Sequence, residues 1–472
     1  MIFRITKHEL TRHYRDGRTK ALVFVFLGIS IIAILLSFSD YVSISKKYND
    51  NLEQARRNWE TQAEKDPHDA AHDGTYVIKP FHPFSMLDKG IQQFSGQVVH
   101  LGAHERKQSS LNEVKDNTGM FRFGQLTPNF ILLYLFPLLL IFLGYNTFVE
   151  EKERKTLRLL LAQGVPLRKL ITGKWLALIL QMTFLLLLFI LITGLGFGLL
   201  NDEYSLSFYE WLGFFGVYLM YFIVFINLIL LVSTKAKSSG VSLTVSLAIW
   251  ILITLVVPKL STNLAGRLHP FPTLQTFGRN IVMDQQDGLN GHNFWNGAAE
   301  DFRKKTLEEY GVETVEELPI AFSGLLLAEG EKFESKIYTK HFDLLRGQYE
   351  KQRNVYRTAG ILSPFLPVRF ASMALARTDY GFQWHFEDEA EKYRVDFNTA
   401  LNMNIAENAK GIEGYKADSD LWKNIPRFNY NWQPTNKILS DHSTEYVLLF
   451  LWGLGSFAIM LLVSNKIKAV EI

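Results

Sequence analysis

The sequence predicts an all-α integral membrane protein, with six transmembrane helices and a mostly helical extracytoplasmic domain built from two inserts. Three observations predict it. First, six separate runs, at 21–39, 129–147, 175–200, 211–233, 241–257 and 446–463, contain no internal Asp, Glu, Lys or Arg. Each is near the roughly 20 apolar residues that cross a bilayer. Second, Lys and Arg gather in alternate connections between these runs. Third, two polar stretches, 40–128 and 258–444, are far too long to be turns between neighbouring spans.

Composition limits the chemistry. Of 472 residues, 48% are hydrophobic and 21% charged, so apolarity is concentrated rather than spread. The chain has no cysteine, which removes disulfides, thiolate metal sites and cysteine nucleophiles together. Net charge is +3, and no basic-aromatic stripe suited to nucleic acid is present.

Taken in order, residues 1–20 form a charged cytoplasmic head with Phe3, Leu10 and Tyr14 as its apolar side. The first span, 21–39, is not a cleavable signal, since a charged head precedes it and no small-residue cleavage site follows. Insert 1 covers 40–128, and its stretch 62–74 is polar and reads as an exposed loop. The second span is 129–147. A charged segment at 148–174 leads to the third span, and spans four and five follow at 211–233 and 241–257. Insert 2 covers 258–444 and has the size of a domain. Within it, 299–310 reads as a helix, and Phe333, Ile337, Phe342, Leu345 and Tyr349 recur at helical spacing. The two inserts are expected to pack on each other as one domain. The sixth span, 446–463, is followed by a short tail, 464–472. Trp175, Trp211, Trp250 and Tyr446 stand near span ends, as interfacial anchors do.

Orientation follows from the basic residues. Arg4, Lys7, Arg12, Arg15, Arg18 and Lys20 lie in the head; Lys152, Arg154, Lys155, Arg158, Arg168 and Lys169 follow span two. Lys235 and Lys237 follow span four, Lys466 and Lys468 follow span six, and the turn after span three has none. Both termini in the cytoplasm satisfies the whole set, with both inserts outside.

No phosphate loop occurs: Gly173-Lys174 is followed by Trp175, and no glycine stands at the required distance before it. Neither H-E-x-x-H nor G-x-S-x-G is present. The spans hold no carboxylate of the kind ion-coupled carriers use. Their polar groups Asn146, Gln181 and Asn227 are expected to bond neighbouring helices, with substrate contact as the alternative.

Energy must then enter from elsewhere, and residues 148–175, FVEEKERKTLRLLLAQGVPLRKLITGKW, are the candidate port. Glu150, Glu151 and Glu153 begin a helix, where its dipole favours anions. Thr156 follows, Leu157, Leu160 and Leu161 give an apolar stripe, Gly164-Val165-Pro166 breaks the helix, and Arg168 and Lys169 lead into span three. Such a helix suits either a groove on a soluble partner or the lipid surface.

The run EEKERKTLRLLLAQGVPLRKLITGKW resembles the coupling segment of ABC-2-type transporter permeases, in which E-x-E-x-x-T-L-x-x-L-L is followed by a break and a small residue–Lys pair. Lys155 stands where glycine is frequent in that family. The head resembles the family's connecting helix, with Glu9 as its frequent acid. A second stretch, from Ser363 to Arg394, resembles the subgroup whose permeases carry a large extracytoplasmic insert of unknown function. It matches at Ser363-Pro364, Ser372, Leu375-Ala376, Thr378-Asp379, His385-Phe386, Ala390-Glu391 and Tyr393-Arg394.

The resemblance implies a permease subunit of an ATP-driven exporter in a bacterial plasma (inner) membrane. It implies an ABC ATPase in two copies docked on Glu150–Lys169, and a second permease, identical or paralogous. On this resemblance the chain itself is expected to bind no cofactor and no metal and to catalyse no reaction; ATP and Mg are expected on the ATPase. Lipid, and other envelope proteins, are further expected partners, and nucleic acid is not. Two other classes stay open: a mechanotransmission complex that moves envelope partners without transport, and a membrane sensor with an extracytoplasmic ligand-binding domain.

Two groups in the inserts invite a site. Asp379, His385 and Asp388 read either as an outer-face ligand contact or as a helix cap with a hydrogen-bonded core pair. His68, His72, His82, His100 and His104 offer imidazoles, but their spacing matches no metal-ligand pattern, so no metal is expected there.

Overall fold

The computed structural model describes residues 1–110, 125–200, 206–286, 288–289, 292 and 297–465. Most of the turn after the third span (201–205) and the tail lysines Lys466 and Lys468 lie outside the described residues. Among the described residues six helices are long and apolar enough to cross a membrane: Gly17–Glu60, Pro128–Glu153, Leu167–Gly198, Phe208–Lys235, Ser239–Leu268 and Ser443–Val463. The molecule is an all-α membrane protein, with one small sheet among the described residues.

Several spans overrun their apolar runs. The first begins at Asp16, whose carboxylate accepts from the Arg18 and Thr19 amides at 3.3 and 3.2 Å, and continues for 44 residues. Residues 40–60 contain neither Gly nor Pro, so nothing stops the helix at the bilayer edge. At about 1.5 Å per residue it is a rod roughly 65 Å long.

The fourth span is the bundle's centre. Phe214, Tyr218, Tyr221, Phe222 and Phe225 are almost wholly buried, against spans two, three and six. Phe222 stacks on Phe136 of span two, with centroids 4.0 Å apart. Spans one, three, five and six turn apolar side chains outward, among them Phe24, Phe184, Leu252 and Phe450. In a membrane these are lipid-facing or partner-facing surfaces rather than exposed hydrophobic patches.

Two π-turns, Ile131–Leu135 and Leu252–Val256, stand immediately before the helical starts that carry Pro137 and Pro258. Proline has no N–H to give the preceding turn, and hydrocarbon has no water to replace it. Hydroxyls from neighbouring segments donate instead: Tyr221 Oη of span four to the Leu133 carbonyl at 3.1 Å, and Ser363 Oγ, in a turn, to the Ile253 carbonyl at 2.7 Å.

The two inserts form one domain over one end of the bundle. Insert 2 supplies its long helices, Phe322–Ala359 and Tyr380–Asn408, which pack along each other. Insert 1 supplies a three-stranded antiparallel sheet, β1 (Thr75–Ile78), β2 (Val98–Gly102) and β3 (Glu105–Arg106), with Thr75 opposite Leu101. Trp59 at the end of the first helix donates to the Trp422 carbonyl at 2.9 Å and packs on Phe397. Arg394, 1% exposed, bonds Glu391 at 2.8 Å and Glu331 at 2.7 Å, so a buried charge is fully paired.

One expectation is corrected. Part of 62–74 is not an exposed loop: Pro67–Asp73 is a helix, and Pro67, His68, Ala70 and Ala71 are buried. Asp66 caps it by accepting from the His68 amide at 2.7 Å, with Pro67 at the first turn, and its alanines let it lie against the helix Tyr380–Asn408.

Candidate functional site: a buried lysine ties the coupling segment to the bundle

The segment predicted as one helix is two, Val149–Glu153 and Thr156–Ala162, separated at Lys155, whose φ is +58°. That left-handed conformation suits glycine, and here a lysine adopts it. The second helix stops at Gln163, Gly164 takes φ +80°, and the third span starts after Pro166.

The carboxylates turn inward or sideways rather than offering themselves to a partner. Glu151 Oε1 is 2.7 Å from Lys174 Nζ. Glu150 accepts from Asn146 Nδ2 at 3.0 Å and pairs with Arg154 at 2.7 Å and with Arg12 of the head at 3.7 Å. Glu153 accepts from the Ser239 amide at 2.8 Å and its hydroxyl at 2.7 Å, tying the segment to the start of span five. These bonds hold the Glu153 carboxyl below the ordinary carboxylate range. Leu157 is buried, and Leu160 and Leu161 are half-buried against the bundle. The exposed face includes Thr156, Arg158, Leu159, Gln163, Arg168 and Lys169.

Lys174 is the centre of the arrangement. It is 1% exposed, and its ammonium donates to Glu9 Oε1 at 2.7 Å, Glu151 Oε1 at 2.7 Å and the Thr147 carbonyl at 3.0 Å. Three protons meet three acceptors, one each from the head helix (Ile2–Arg15), the coupling segment and the end of span two. Burial opposes ionisation of Glu9, but Lys174 and Arg12 outweigh it and hold the carboxyl below its usual value. Gly173 allows the approach: a Cβ there would sit 2.7 Å from Ile5 Cγ2 of the head. The Thr6 hydroxyl donates to the Gly173 carbonyl at 2.9 Å.

The head helix turns its polar side to the protein. Its inward face is Thr6, Glu9 and His13, whereas Phe3 and Tyr14 are 81% and 76% exposed. At a bilayer surface the apolar side has lipid to meet, so the polar side is free to bond protein. Lys174 was not singled out as a site residue by sequence reasoning; the signal for it was the small residue–Lys pair at a span entry.

Asn146, Gln181 and Asn227 each have a protein partner. Asn227 Oδ1 accepts from Trp175 Nε1 at 2.8 Å, and its Nδ2 donates to Ser456 Oγ at 2.9 Å, joining spans three, four and six. Gln181 Oε1 lies 2.9 Å from His13 Nδ1 of the head.

Asp379, His385 and Asp388 line one cleft of about 760 Å³ at the domain's base, each already engaged. Asp379 caps the helix Tyr380–Asn408 by accepting from the Phe382 amide at 3.0 Å and faces His442 at 3.5 Å. His385 Nδ1 is 2.7 Å from the Tyr430 hydroxyl. Asp388 bridges Arg106 at 3.0 Å and Arg346 at 2.5 Å. Of the histidines singled out in the sequence, His82 and His100 stand apart, while His68, His72 and His104 come together with His292.

A family model described as "ABC-2 family transporter protein" matches residues 3–313, well over half of the chain. The chain belongs to the ABC-2 transporter family. A second model, a domain of unknown function (DUF3526), matches residues 279–431. No curated protein matches the chain. In this ABC-2 permease the family match takes in the head helix, the coupling segment and Lys174. The DUF3526 match takes in Glu331, Asp388 and Arg394. The protein is thus a multi-pass membrane transport subunit with an added domain.

Proposed function

We propose that this permease is the transmembrane subunit of an ATP-driven exporter, worked by a separate ATPase that seats on the exposed face around Arg158, Leu159, Arg168 and Lys169. The observation that carries the reading is the Lys174 junction. It makes the head helix, the coupling segment and the entry to span three one mechanical unit, while Glu153 ties that unit to span five. A push on the exposed face is therefore delivered to several spans at once.

On this reading both termini face the cytoplasm of a bacterial inner membrane and the insert domain faces outward. Two permeases, identical or paralogous, and two ATPase copies make the working complex, and ATP and Mg are held by the ATPase. Glu150, Glu151 and Leu157 act as internal ties, and Thr156, Arg158, Leu159, Arg168 and Lys169 as the contact.

A second reading is favoured by one observation. The helix Gly17–Glu60 runs unbroken from beside the head to the insert domain, ending with Trp59 buried against Trp422. A rod of that kind also suits a mechanotransmission complex that moves the domain without passing a substrate.

The test is affinity purification of the tagged chain in mild detergent, with mass spectrometry of its companions. An ATPase should co-purify, and its yield should fall at least about tenfold in Arg158→Glu/Leu159→Asp. Recovery of no ATPase with folded chain, in several detergents, would overturn the coupling reading and leave the sensor class in front.

A further inference from the structure

We infer that the insert domain holds a transition-metal site of the zinc class, built by His68, His72, His104 and His292, that staples insert 1 to insert 2. One potential ligand nitrogen from each of the four lies within 4.8 Å of the others.

The four histidines come from three places in the chain. His68 and His72 are four residues apart on the helix Pro67–Asp73, hence on one face. His104 occupies the turn between β2 and β3 with φ +62°, a conformation disfavoured for a residue with a Cβ and held here at a conformational cost. His292 comes from insert 2. All six ring pairs have centroids 4.6–5.6 Å apart.

The distances are those of ligands around a common centre. His68 Nε2 is 3.3 Å from both His292 Nε2 and His104 Nε2, and the last two are 2.9 Å apart. Tetrahedral zinc with Zn–N bonds of about 2.05 Å places its nitrogens about 3.3 Å from one another. Direct hydrogen bonding explains the cluster poorly, because an imidazole N–H points at a single neighbour and three nitrogens here crowd one another.

The outer nitrogens are already anchored. His68 Nδ1 lies 2.9 Å from Asn402 Oδ1, and His104 Nδ1 lies 2.9 Å from Glu334 Oε2 and 3.3 Å from Glu331 Oε1. An N–H donated outward from Nδ1 leaves the Nε2 lone pair aimed at the centre, which is how outer hydrogen bonds orient metal-ligating histidines. Glu331 also accepts from the His104 amide at 2.7 Å and pairs with buried Arg394, so the turn is held from behind. An all-imidazole set suits zinc, copper or nickel and not calcium or magnesium, which take oxygen. His68 is buried while His72 and His292 are exposed, so an ion enters from the solvent side of the domain.

The experiment uses the full chain in detergent, carrying a purification tag without histidines. It is stripped with a chelator, loaded with Zn²⁺, dialysed against buffer with excess Mg²⁺, and read by elemental analysis and thermal melting. One zinc per chain and a raised Tm are expected. His68→Gln/His104→Gln should abolish uptake. His72→Ala/His292→Ala removes only exposed rings, so it should keep the helical circular dichroism of the apo protein and weaken zinc binding at least tenfold. His100→Gln should bind as the wild type does. Folded wild-type chain retaining less than about a tenth of an equivalent would overturn the assignment, and so would undiminished uptake by a folded His72→Ala/His292→Ala variant.

Discussion

Lys174 shows how a single buried residue joins three elements of a membrane protein. A buried ammonium is tolerated because two carboxylates and a carbonyl complete its hydrogen bonds. Lys174→Met would leave Glu9 and Glu151 facing each other without their cation, and a cost of about 3–5 kcal/mol is expected. It should appear as a lowered Tm in detergent and as loss of the co-purifying ATPase. The sign of the pH effect follows from Glu9, whose folded-state pKa is depressed. Its contribution is complete above the ordinary carboxylate pKa and is lost as pH falls through the lower, folded value. Acid melts of wild type and Glu9→Gln should therefore converge at low pH and diverge towards neutrality. Gly173→Val should also loosen the head, because its side chain meets Ile5 and the Ile2 carbonyl before any rotamer relieves it.

At the scale of elements, the coupling segment depends on its break. Lys155 holds φ +58°, so Lys155→Gly should be neutral or slightly stabilising, while Lys155→Ile should destabilise by about 1–2 kcal/mol and reduce ATPase recovery. Within the spans, Tyr221→Phe strands the Leu133 carbonyl beside Pro137. A loss of about 1 kcal/mol is expected in a denaturation series, less than in a water-soluble core because the unfolded chain in the membrane also finds partners. The spans themselves were legible, since twenty uncharged apolar residues have few other uses. The break at Lys155 was not, because a lysine in the left-handed region looks like any helical lysine in sequence. The facing of the head helix was not legible either, because Phe3, Leu10 and Tyr14 mark an apolar side without saying whether protein or lipid meets it.

For the whole molecule, what sequence patterns reach is limited by distance along the chain. The insert domain's packing joins Trp59 to Trp422 and Arg106 to Asp388, contacts that no local period encodes. The same holds for His68, His72, His104 and His292: two share a helix face, but the other two come from a hairpin turn and from another insert. Local spacing accordingly showed no ligand pattern. What the sequence did carry was the division of labour: a charged segment between spans at one end, a large polar domain at the other, and a first helix with no breaker between them.

The central claim is that a soluble ATPase seats on the exposed face of the coupling segment. The cysteine-free chain allows a direct test. Leu159→Cys, 59% exposed as leucine, would be labelled with a short photo-activated thiol cross-linker in native membranes. A covalent adduct with an ABC ATPase subunit is expected, and it should be lost when Lys174→Met is added. Adducts confined to lipid or to the permease itself, with the ATPase present in the membrane, would contradict it.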